Sequence, residues 1–224
     1  MLSVLFGEQF DNFRHILEFY LEDEANILDV TYGSGKLWQT VNSTTPHKYN
    51  LIKNDIDTEQ EVDYHLDFED LEQIEEHPFD AIIYDPPYKY DTKSFSFNER
   101  PDYDWKSNKS LWKLESQIGC ARILNTVFPK ILKSEGLVIV KIMDVRVKGR
   151  LIQNHQLIIK EFTNLQLLSE IIYVRLGVGV FKNKVSPQTA HGYYLIFENK
   201  YQTTLTSGQA YETSINKQTK RISE

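Results

Sequence analysis

The most constraining feature of this chain is a short apolar run that ends in two consecutive prolines. The run covers residues 81–84 and continues into Asp85-Pro86-Pro87-Tyr88. Its alanine, isoleucine and tyrosine content predicts a buried strand. Each proline lacks an N–H and fixes its own φ, so neither a sheet ladder nor a helix continues through the pair. The sequence therefore predicts that Asp85 lies in a rigid turn at the end of a strand.

Such a turn can hold one flat polar group. The carboxylate of Asp85 and the backbone carbonyl of Pro86 would both accept hydrogen bonds from that group, and Tyr88 would stack on its face. The alternative is a plain proline turn that binds nothing. The choice between them depends on whether the chain also supplies a cofactor site beside the turn.

Size and composition favour a single α/β domain. The chain has 224 residues, of which 41% are hydrophobic and 25% are charged, enough for one core and short for two. The sequence has no 18-residue apolar run and no signal-type N-terminus, so we expect a cytoplasmic protein without membrane contact. The single cysteine, Cys120, agrees with a reducing compartment. Without CxxC or HExxH, the sequence indicates no metal site.

Charge is distributed unevenly along the chain. The net charge is −7, but residues 1–80 carry −15 and residues 81–224 carry +8. An asymmetry of this size suggests that one face of the protein meets a polyanion such as nucleic acid. The alternative is that acidic helices simply solvate the first half.

A glycine-rich turn follows the first predicted central strand, which covers residues 26–30. The turn, residues 29–35, reads Asp-Val-Thr-Tyr-Gly-Ser-Gly. Gly33 and Gly35 allow the backbone to turn sharply and to approach a ligand closely. Asp29, at the strand end, could receive the ammonium group of that ligand. A plain tight turn is the alternative, and the acidic residue beside it favours the ligand site.

Two further strands are predicted to end in acidic residues. The strand over residues 49–53 leads to Asp55 and Asp57, and the strand over residues 62–66 leads to Asp67. An acid about 20 to 25 residues past the glycine turn is placed to bind a ribose diol, with Asp55 as first candidate and Asp57 in reserve. Asp67 could reach an adenine amino group. Each of the three could equally be a surface residue.

A long segment after the proline turn mixes aromatic and basic side chains. Residues 89–113 have no clear period, and a loop of this length is uncommon unless it serves as a lid or binding loop. Aromatic and basic residues mixed in this way suit base stacking and phosphate contact. Tyr90, Lys93 and Trp105 are the candidate contacts here, although some of the aromatic residues could instead pack on the core.

The remaining pattern alternates helices with strands and predicts a mainly parallel sheet. The predicted helices cover residues 8–21, 111–132 and 151–162. Strands are predicted over residues 137–143, which are read as fully apolar, and over residues 167–174 and 193–197. Residues 200–224 are polar and are predicted to form a mobile tail.

Ligands of a parallel sheet bind over the carboxyl ends of its strands. At that edge, the acidic and basic residues of this chain follow different strands. The first three strands end in acids, which suits a small molecule with ammonium, hydroxyl and amino groups. Basic residues follow the fifth and sixth strands. We therefore predict nucleic-acid contacts at Arg146, Lys148, Arg150, Lys182 and Lys184. The two halves of this edge meet at Asp85.

These motifs resemble those of the class I S-adenosylmethionine-dependent amino-methyltransferases that act on nucleic-acid bases. Residues 29–35 are similar to the cofactor motif of that family, residues 85–88 to its catalytic motif, and residues 191–197 to its last strand. The motif order resembles the gamma arrangement of DNA methyltransferases. The resemblance implies a Rossmann-like methyltransferase domain over residues 1–199. Its seven-stranded sheet would be mostly parallel with an antiparallel last strand, and helices would cover both faces.

The resemblance also implies a cofactor and an activity. S-adenosyl-L-methionine would be bound by Asp29, Thr31, Gly33, Gly35, Asp55 and Asp67, and the catalytic residues would be Asp85, Pro86, Pro87 and Tyr88. Aspartate rather than serine in the catalytic motif favours adenine N6 in DNA as the acceptor. An RNA base is an alternative, because Asp-Pro-Pro-Tyr also occurs in RNA methylases. A second alternative is that the chain is a non-catalytic nucleic-acid-binding subunit of a heteromeric methylase.

Two positions depart from the family pattern. The family often has phenylalanine where this chain has Thr31, which bears on cofactor affinity. Only about 25 residues follow the last predicted strand, too few for a target-recognition domain. Sequence specificity would then come from residues 89–113, from a specificity subunit or homodimer partner, or be absent.

Overall fold

The computed structural model describes residues 3–44, 48–87, 114–147, 150–174 and 191–200. Several predictions lie outside these residues: the lid loop over 89–113, the tail over 200–224 apart from Lys200, and the side chains of Tyr88, Tyr90, Lys93, Trp105, Lys148, Lys182 and Lys184.

The described part of the chain contains nine strands and four α-helices. The strands are β1 (Val4–Phe6), β2 (Asn26–Asp29), β3 (Asn50–Lys53), β4 (Phe79–Tyr84), β5 (Leu132–Ile142), β6 (Val145–Val147), β7 (Arg150–Ile152), β8 (Gln166–Val174) and β9 (His191–Glu198). The helices are α1 (Gln9–Tyr20), α2 (Gln39–Thr44), α3 (Leu114–Ile131) and α4 (Asn154–Glu161), and two 3₁₀ helices cover Lys36–Trp38 and Phe68–Gln73.

Seven of these strands form one sheet in the order β1-β8-β9-β5-β4-β2-β3. Strand β9 runs antiparallel to both of its neighbours, β5 and β8, whereas the other adjacent pairs are parallel. The predicted sheet of seven strands, mostly parallel and with an antiparallel last strand, is confirmed. Strands β6 and β7 form a separate two-stranded hairpin directly after β5.

The identity of one strand differs from the prediction. Residues 62–66 do not form a strand, because only Tyr64 makes an isolated parallel bridge to Asn54. The side chain of Asn54 takes over the pairing: its amide donates to the Leu66 carbonyl at 3.1 Å, and its oxygen accepts from the Leu66 N–H at 2.9 Å. The seventh strand is instead β1, which pairs in parallel with β8.

Two apolar cores form because successive strand residues point to opposite faces of the sheet. On one face, Ile27, Ile83 and Ile139 pack with α1 and with Trp38. On the other face, the core includes Leu28, Ile82 and Val138 of the strands, Leu124 and Phe128 of α3, and Ile158 of α4. Helices therefore cover both faces, as the resemblance implied. None of the described helices has the combination of length, low charge and high hydropathy that a membrane span needs.

Neighbouring strands bring three parts of the sequence to one edge of the sheet. Strands β2, β4 and β5 lie side by side in parallel, with Asp29 level with Ile83 and Ile83 level with Ile139. The residues that end or follow these strands therefore lie close together. This edge contains the glycine turn, the proline turn and the hairpin β6–β7.

Candidate active site

The glycine turn after β2 is held in shape by its own hydrogen bonds. The Thr31 N–H donates to Asp29 Oδ1 at 2.9 Å. Gly33 and Gly35 have φ values of 55° and 68°, a left-handed conformation that glycine adopts without strain. A Cβ on Gly35 would lie 2.6 Å from the Tyr32 hydroxyl. The conformation therefore favours glycine at position 35, and a Cβ there would also displace the Tyr32 ring.

Asp29 is a buried carboxylate beneath this turn. It is 1% exposed, and its Oδ2 accepts a 2.7 Å hydrogen bond from the indole N–H of Trp38. Burial raises the pKa of Asp29 to about 7; the hydrogen bonds from Trp38 and Thr31 oppose this rise, and the charges of Asp85 and Asp55 add to it. Both oxygens of Asp29 thus have protein partners, and the residue places a group that titrates near neutral pH under the turn.

Asp55 joins β3 to the glycine turn. Its Oδ2 accepts from the Gly33 N–H at 2.8 Å, and its Oδ1 accepts from the Asp57 N–H at 2.9 Å. The residue is 6% exposed, and burial raises the pKa of its carboxyl group. Asp57, the reserve candidate, instead accepts hydrogen bonds from Glu59 and Gln60 within its own loop.

Asp67 lies at the start of the 3₁₀ helix Phe68–Gln73 and is partly exposed. Its carbonyl oxygen accepts from the Asp70 N–H at 2.9 Å. It directly follows Leu66, which is tied to Asn54 at the end of β3. The fold therefore keeps Asp67 near the end of β3, next to the loop of Asp55.

The proline turn after β4 docks directly onto the glycine turn. The backbone N–H of Asp85 donates to Thr31 Oγ1 at 2.8 Å. On the other side, the side-chain amide of Gln117 on α3 donates to the Pro87 carbonyl. Pro86 is buried and Pro87 is partly buried. The position of Asp85 is thus set by contacts from two separate elements.

A lysine that we did not predict lies at the centre of this site. Lys141 on β5 is 3% exposed, and its Nζ lies 2.9 and 3.0 Å from the two carboxylate oxygens of Asp85. The prediction of an apolar strand over residues 137–143 was wrong at this position. The available signal was the lysine itself, because this residue is almost never fully buried without a partner.

The hairpin β6–β7 carries two of the predicted basic residues. Arg146 and Arg150 are exposed, and the hairpin begins three residues after the end of β5. It therefore lies beyond the same sheet edge as Asp85. Both arginines are thus exposed on a hairpin that follows the strand next to the proline turn.

A buried acid–histidine pair lies at the base of the hairpin. Asp144 Oδ1 is 2.7 Å from His155 Nδ1, and the two residues are 4% and 5% exposed. The imidazole stacks on Tyr193 of β9 with 4.0 Å between ring centroids. Burial raises the pKa of the Tyr193 hydroxyl, and the charges of Asp144 and Glu170 add to this rise. Sequence reasoning missed this pair, which links β5, α4 and β9.

The described part of the site combines three acidic side chains with the buried cation Lys141. Asp29, Asp55 and Asp85 surround the junction of the two turns, and the pKa of Asp29 reflects the charges of the other two. Excess negative charge of this kind suits a ligand that carries positive charge and hydrogen-bond donors. Among the described residues, no cluster of three or more histidine, cysteine or acidic side chains could hold a metal ion.

Comparison with known proteins identifies the fold. No protein-family model and no curated protein matches the sequence. Among solved structures, TrmN from Thermus thermophilus superimposes with a TM-score of 0.53 at 13% identity, over 84% of this chain and 48% of TrmN. A protein from Clostridium thermocellum, provisionally designated an rRNA methylase, gives 0.50 at 11% identity over 86% of this chain and 98% of its own.

A third solved structure is a provisionally designated class I S-adenosylmethionine-dependent methyltransferase from Listeria monocytogenes. It gives a TM-score of 0.50 at 16% identity, over 89% of this chain and 61% of its own. The chain spans about half the length of TrmN.

At sequence identities of 11–16%, the similarity to these three structures is a similarity of fold. The chain has the Rossmann-like fold of class I methyltransferases.

Proposed function

We propose that this chain is an S-adenosylmethionine-dependent methyltransferase that modifies the exocyclic amine of a nucleic-acid base, with adenine N6 in DNA as first candidate. The observation that carries the proposal is the 2.8 Å hydrogen bond from the Asp85 N–H to Thr31 Oγ1. It joins the turn that resembles a catalytic motif to the turn that resembles a cofactor motif.

The residues at the glycine turn fit a cationic cofactor. S-adenosylmethionine, when bound, supplies a methyl group on a positively charged sulfur. Asp29, Thr31, Gly33 and Gly35 would hold its amino-acid part. The raised pKa of Asp29 supports this fit, because a cation beside a buried carboxylate offsets the cost of ionising it. The ribose and adenine of the cofactor would bind to Asp55 and Asp67, respectively.

Asp85 and Pro86 would hold and activate the target amine. The nitrogen of an aromatic amine is a weak nucleophile because its lone pair is delocalised into the ring. Hydrogen bonds from the amine to the Asp85 carboxylate and the Pro86 carbonyl favour a pyramidal nitrogen with a localised lone pair. The carboxylate also stabilises the positive charge that develops on nitrogen during transfer. Tyr88 would stack on the base, which in duplex DNA must first flip out of the helix.

The basic residues of the second half would bind the polymer. Arg146 and Arg150 are exposed on the hairpin beyond Asp85, and Lys148 lies between them in the sequence. Lys182, Lys184 and the residues Tyr90, Lys93 and Trp105 would extend this surface. Sequence recognition would come from residues 89–113, a specificity subunit or a homodimer partner.

RNA is a second candidate for the polymer. One of the solved structures that share the fold is provisionally designated an rRNA methylase, and the same catalytic motif suits adenine in either polymer. The chemistry proposed for Asp85 does not depend on the sugar. An experiment is therefore needed to decide between DNA and RNA as the substrate.

The test is methyl transfer from labelled S-adenosylmethionine to DNA and to structured RNA. We expect transfer to one of them by the wild type and a loss of turnover in Asp85→Ala, with cofactor affinity by calorimetry nearly unchanged. Asp23→Ala is a matched control, because the Asp23 side chain is 79% exposed, and it should retain full activity.

Each contrary outcome has a definite meaning. Equal loss of turnover and of cofactor affinity in Asp85→Ala would contradict the role of Asp85. Absence of transfer to both polymers would refute the proposed activity. If the wild type also lacks affinity for S-adenosylmethionine, the non-catalytic subunit becomes the better description.

A further inference from the structure

The hairpin β6–β7 stands apart from the main sheet. Its strands pair with each other, with Val145 opposite Ile152, and they contact each other more than any other described helix or strand. Leu151, at the centre of β7, is 45% exposed. Two paired strands without further support are marginally stable in water. The position of this hairpin therefore depends on how its two ends are held.

Buried residues on either side of the hairpin join its two ends. Met143 and Asp144 precede it, and Asn154 and His155 follow it. The side-chain amide of Asn154 donates to the Met143 carbonyl at 2.7 Å. Asp144 Oδ1 accepts from the His155 backbone N–H at 3.4 Å and lies 2.7 Å from His155 Nδ1. These contacts close the base of the hairpin.

The His155 ring also fixes this base to the main sheet. It stacks on Tyr193 of β9 with 4.0 Å between ring centroids, and its Nε2 lies 4.0 Å from Glu170 Oε1 of β8. The Tyr193 hydroxyl is in turn 3.1 Å from His191 Nε2. Asp144 lies two residues beyond the end of β5. The acid–histidine pair thus connects the hairpin to three strands of the sheet.

We propose that Asp144 and His155 are positioning residues that fix the hairpin on the sheet and so set the affinity of Arg146 and Arg150 for the phosphates of a nucleic-acid substrate. This inference rests on the proposed function. Ordering of side chains and loops at the moment of binding costs affinity, so a hairpin that is already fixed binds more tightly than one that must be ordered. For two arginine side chains, this cost corresponds to a factor of about 5 to 100 in affinity.

The test removes the contact between the pair and measures oligonucleotide binding by fluorescence anisotropy. His155→Phe keeps a ring that can stack on Tyr193 but loses the hydrogen bond to Asp144. It should bind DNA and RNA oligonucleotides about 5- to 100-fold more weakly, with an unchanged calorimetric affinity for S-adenosylmethionine. Asp144→Asn keeps an oxygen that accepts from His155 and should retain most of the wild-type affinity.

A double-mutant cycle separates positioning from general destabilisation. In an Arg146→Ala/Arg150→Ala background, His155→Phe should cause no further loss of oligonucleotide affinity, because the side chains that it positions are absent. A further loss as large as in the wild-type background would show that the effect does not act through the two arginines, and it would overturn the proposal.

Hydrogen exchange followed by mass spectrometry reports on the hairpin itself. In His155→Phe, the amides of residues 145–152 should exchange faster, whereas β4 and β5 should stay as protected as in the wild type. Asn125→Ala is the matched control, because Asn125 is 9% exposed and its side chain bonds α3 to Thr163 and Asn164. This control should lower the free energy of unfolding without changing hairpin exchange or oligonucleotide affinity. An equal loss of affinity in Asn125→Ala would contradict the positioning role.

The outcomes distinguish this inference from the proposed function. If the wild type binds and methylates an oligonucleotide but His155→Phe keeps full affinity or unchanged hairpin exchange, the positioning role is wrong and the proposed function stands. If the wild type binds neither DNA nor RNA, the proposed function and this inference fail together.

A second variant covers the case in which His155→Phe does not fold because it leaves the Asp144 carboxylate buried and unpaired. Asp144→Asn/His155→Phe removes that charge together with the imidazole. It should show the same loss of oligonucleotide affinity and the same faster hairpin exchange, and wild-type values of both in this variant would overturn the proposal.

Discussion

The Thr31 hydroxyl and the Asp85 backbone are joined by a 2.8 Å hydrogen bond in which the Asp85 N–H donates. Thr31 departs from the pattern of the family that the chain resembles, a departure expected to bear on cofactor affinity. The structure gives it a different role, because a phenylalanine side chain at position 31 could not accept this bond. The hydroxyl fixes the distance between the glycine turn and the proline turn.

Replacement of Thr31 by valine tests this role. Valine has nearly the same shape but no acceptor, so the Asp85 N–H would lose its partner. We expect a loss of about 1–3 kcal/mol in the free energy of unfolding and a drop of about 10- to 100-fold in kcat as Asp85 shifts. Urea unfolding and methyl-transfer assays measure the two effects. Thr31→Ser keeps the acceptor and should stay near the wild type; equal behaviour of both variants would contradict the role.

The buried carboxylate of Asp29 predicts a pH dependence of stability. Its folded pKa of about 7 lies above the ordinary value of 3.8, so between these pH values the folded state binds more protons than the unfolded state. The free energy of unfolding should therefore fall as the pH rises through this window. From pH 5 to pH 8 the fall attributable to Asp29 should be about 2–3 kcal/mol.

Urea unfolding at both pH values measures this effect. Asp29→Asn cannot titrate and should show a smaller fall than the wild type by that amount. The exposed Asp23→Asn serves as the control and should keep the wild-type dependence. An unchanged pH dependence in Asp29→Asn would show that Asp29 is ionised throughout.

The Asp144–His155 pair should contribute more to stability than an exposed ion pair of similar length. Removal of one partner of a buried, hydrogen-bonded pair leaves the other unsatisfied, so Asp144→Ala should lower the free energy of unfolding by about 2–4 kcal/mol. The control is Glu72→Gln, which removes the charge from a 2.6 Å contact between Lys130 and Glu72, whose side chains are 52% and 45% exposed. This control should leave the urea midpoint nearly unchanged, and equal shifts would refute the assignment.

The hairpin arginines should make nucleic-acid binding sensitive to salt. Each phosphate contact adds about 0.9 to the slope of log affinity against log salt for duplex DNA and about 0.7 for single strands. Arg146→Glu/Arg150→Glu should therefore weaken binding and reduce the slope by about 1 to 2. Lys160→Glu is the matched control, because Lys160 is exposed in the last turn of α4, next to the start of β8 at the opposite sheet edge. Equal effects of both changes would argue against this surface.

The strands with strong local signals could be predicted from the sequence. The apolar run before Asp85 and the glycine turn after β2 are each encoded within a few residues. Their positions in the chain, and their placement side by side at one sheet edge, were therefore predicted correctly. The alternation at Val62, Tyr64 and Leu66 also suggested a strand. The side chain of Asn54 replaces that pairing, and a side-chain contact between distant positions leaves no local pattern.

The parts of the site that were not predicted depend on contacts between separate elements. The pairing of Lys141 with Asp85 and of Asp144 with His155 follows only once β4, β5 and α4 lie side by side. Strand β1 has just three residues, too few for a period to be recognised. A lysine within an apolar strand was the one visible sign, and it indicated burial with a partner but not which partner.

Strand β1 also has a practical consequence for handling the protein. Its three residues cover one edge of β8, a nine-residue strand. If the first seven residues were trimmed by a protease or displaced by a fused tag, a row of unpaired amide and carbonyl groups would open along β8. Exposed edges of this kind recruit strands from other molecules. N-terminal shortening should therefore lower the solubility of the protein.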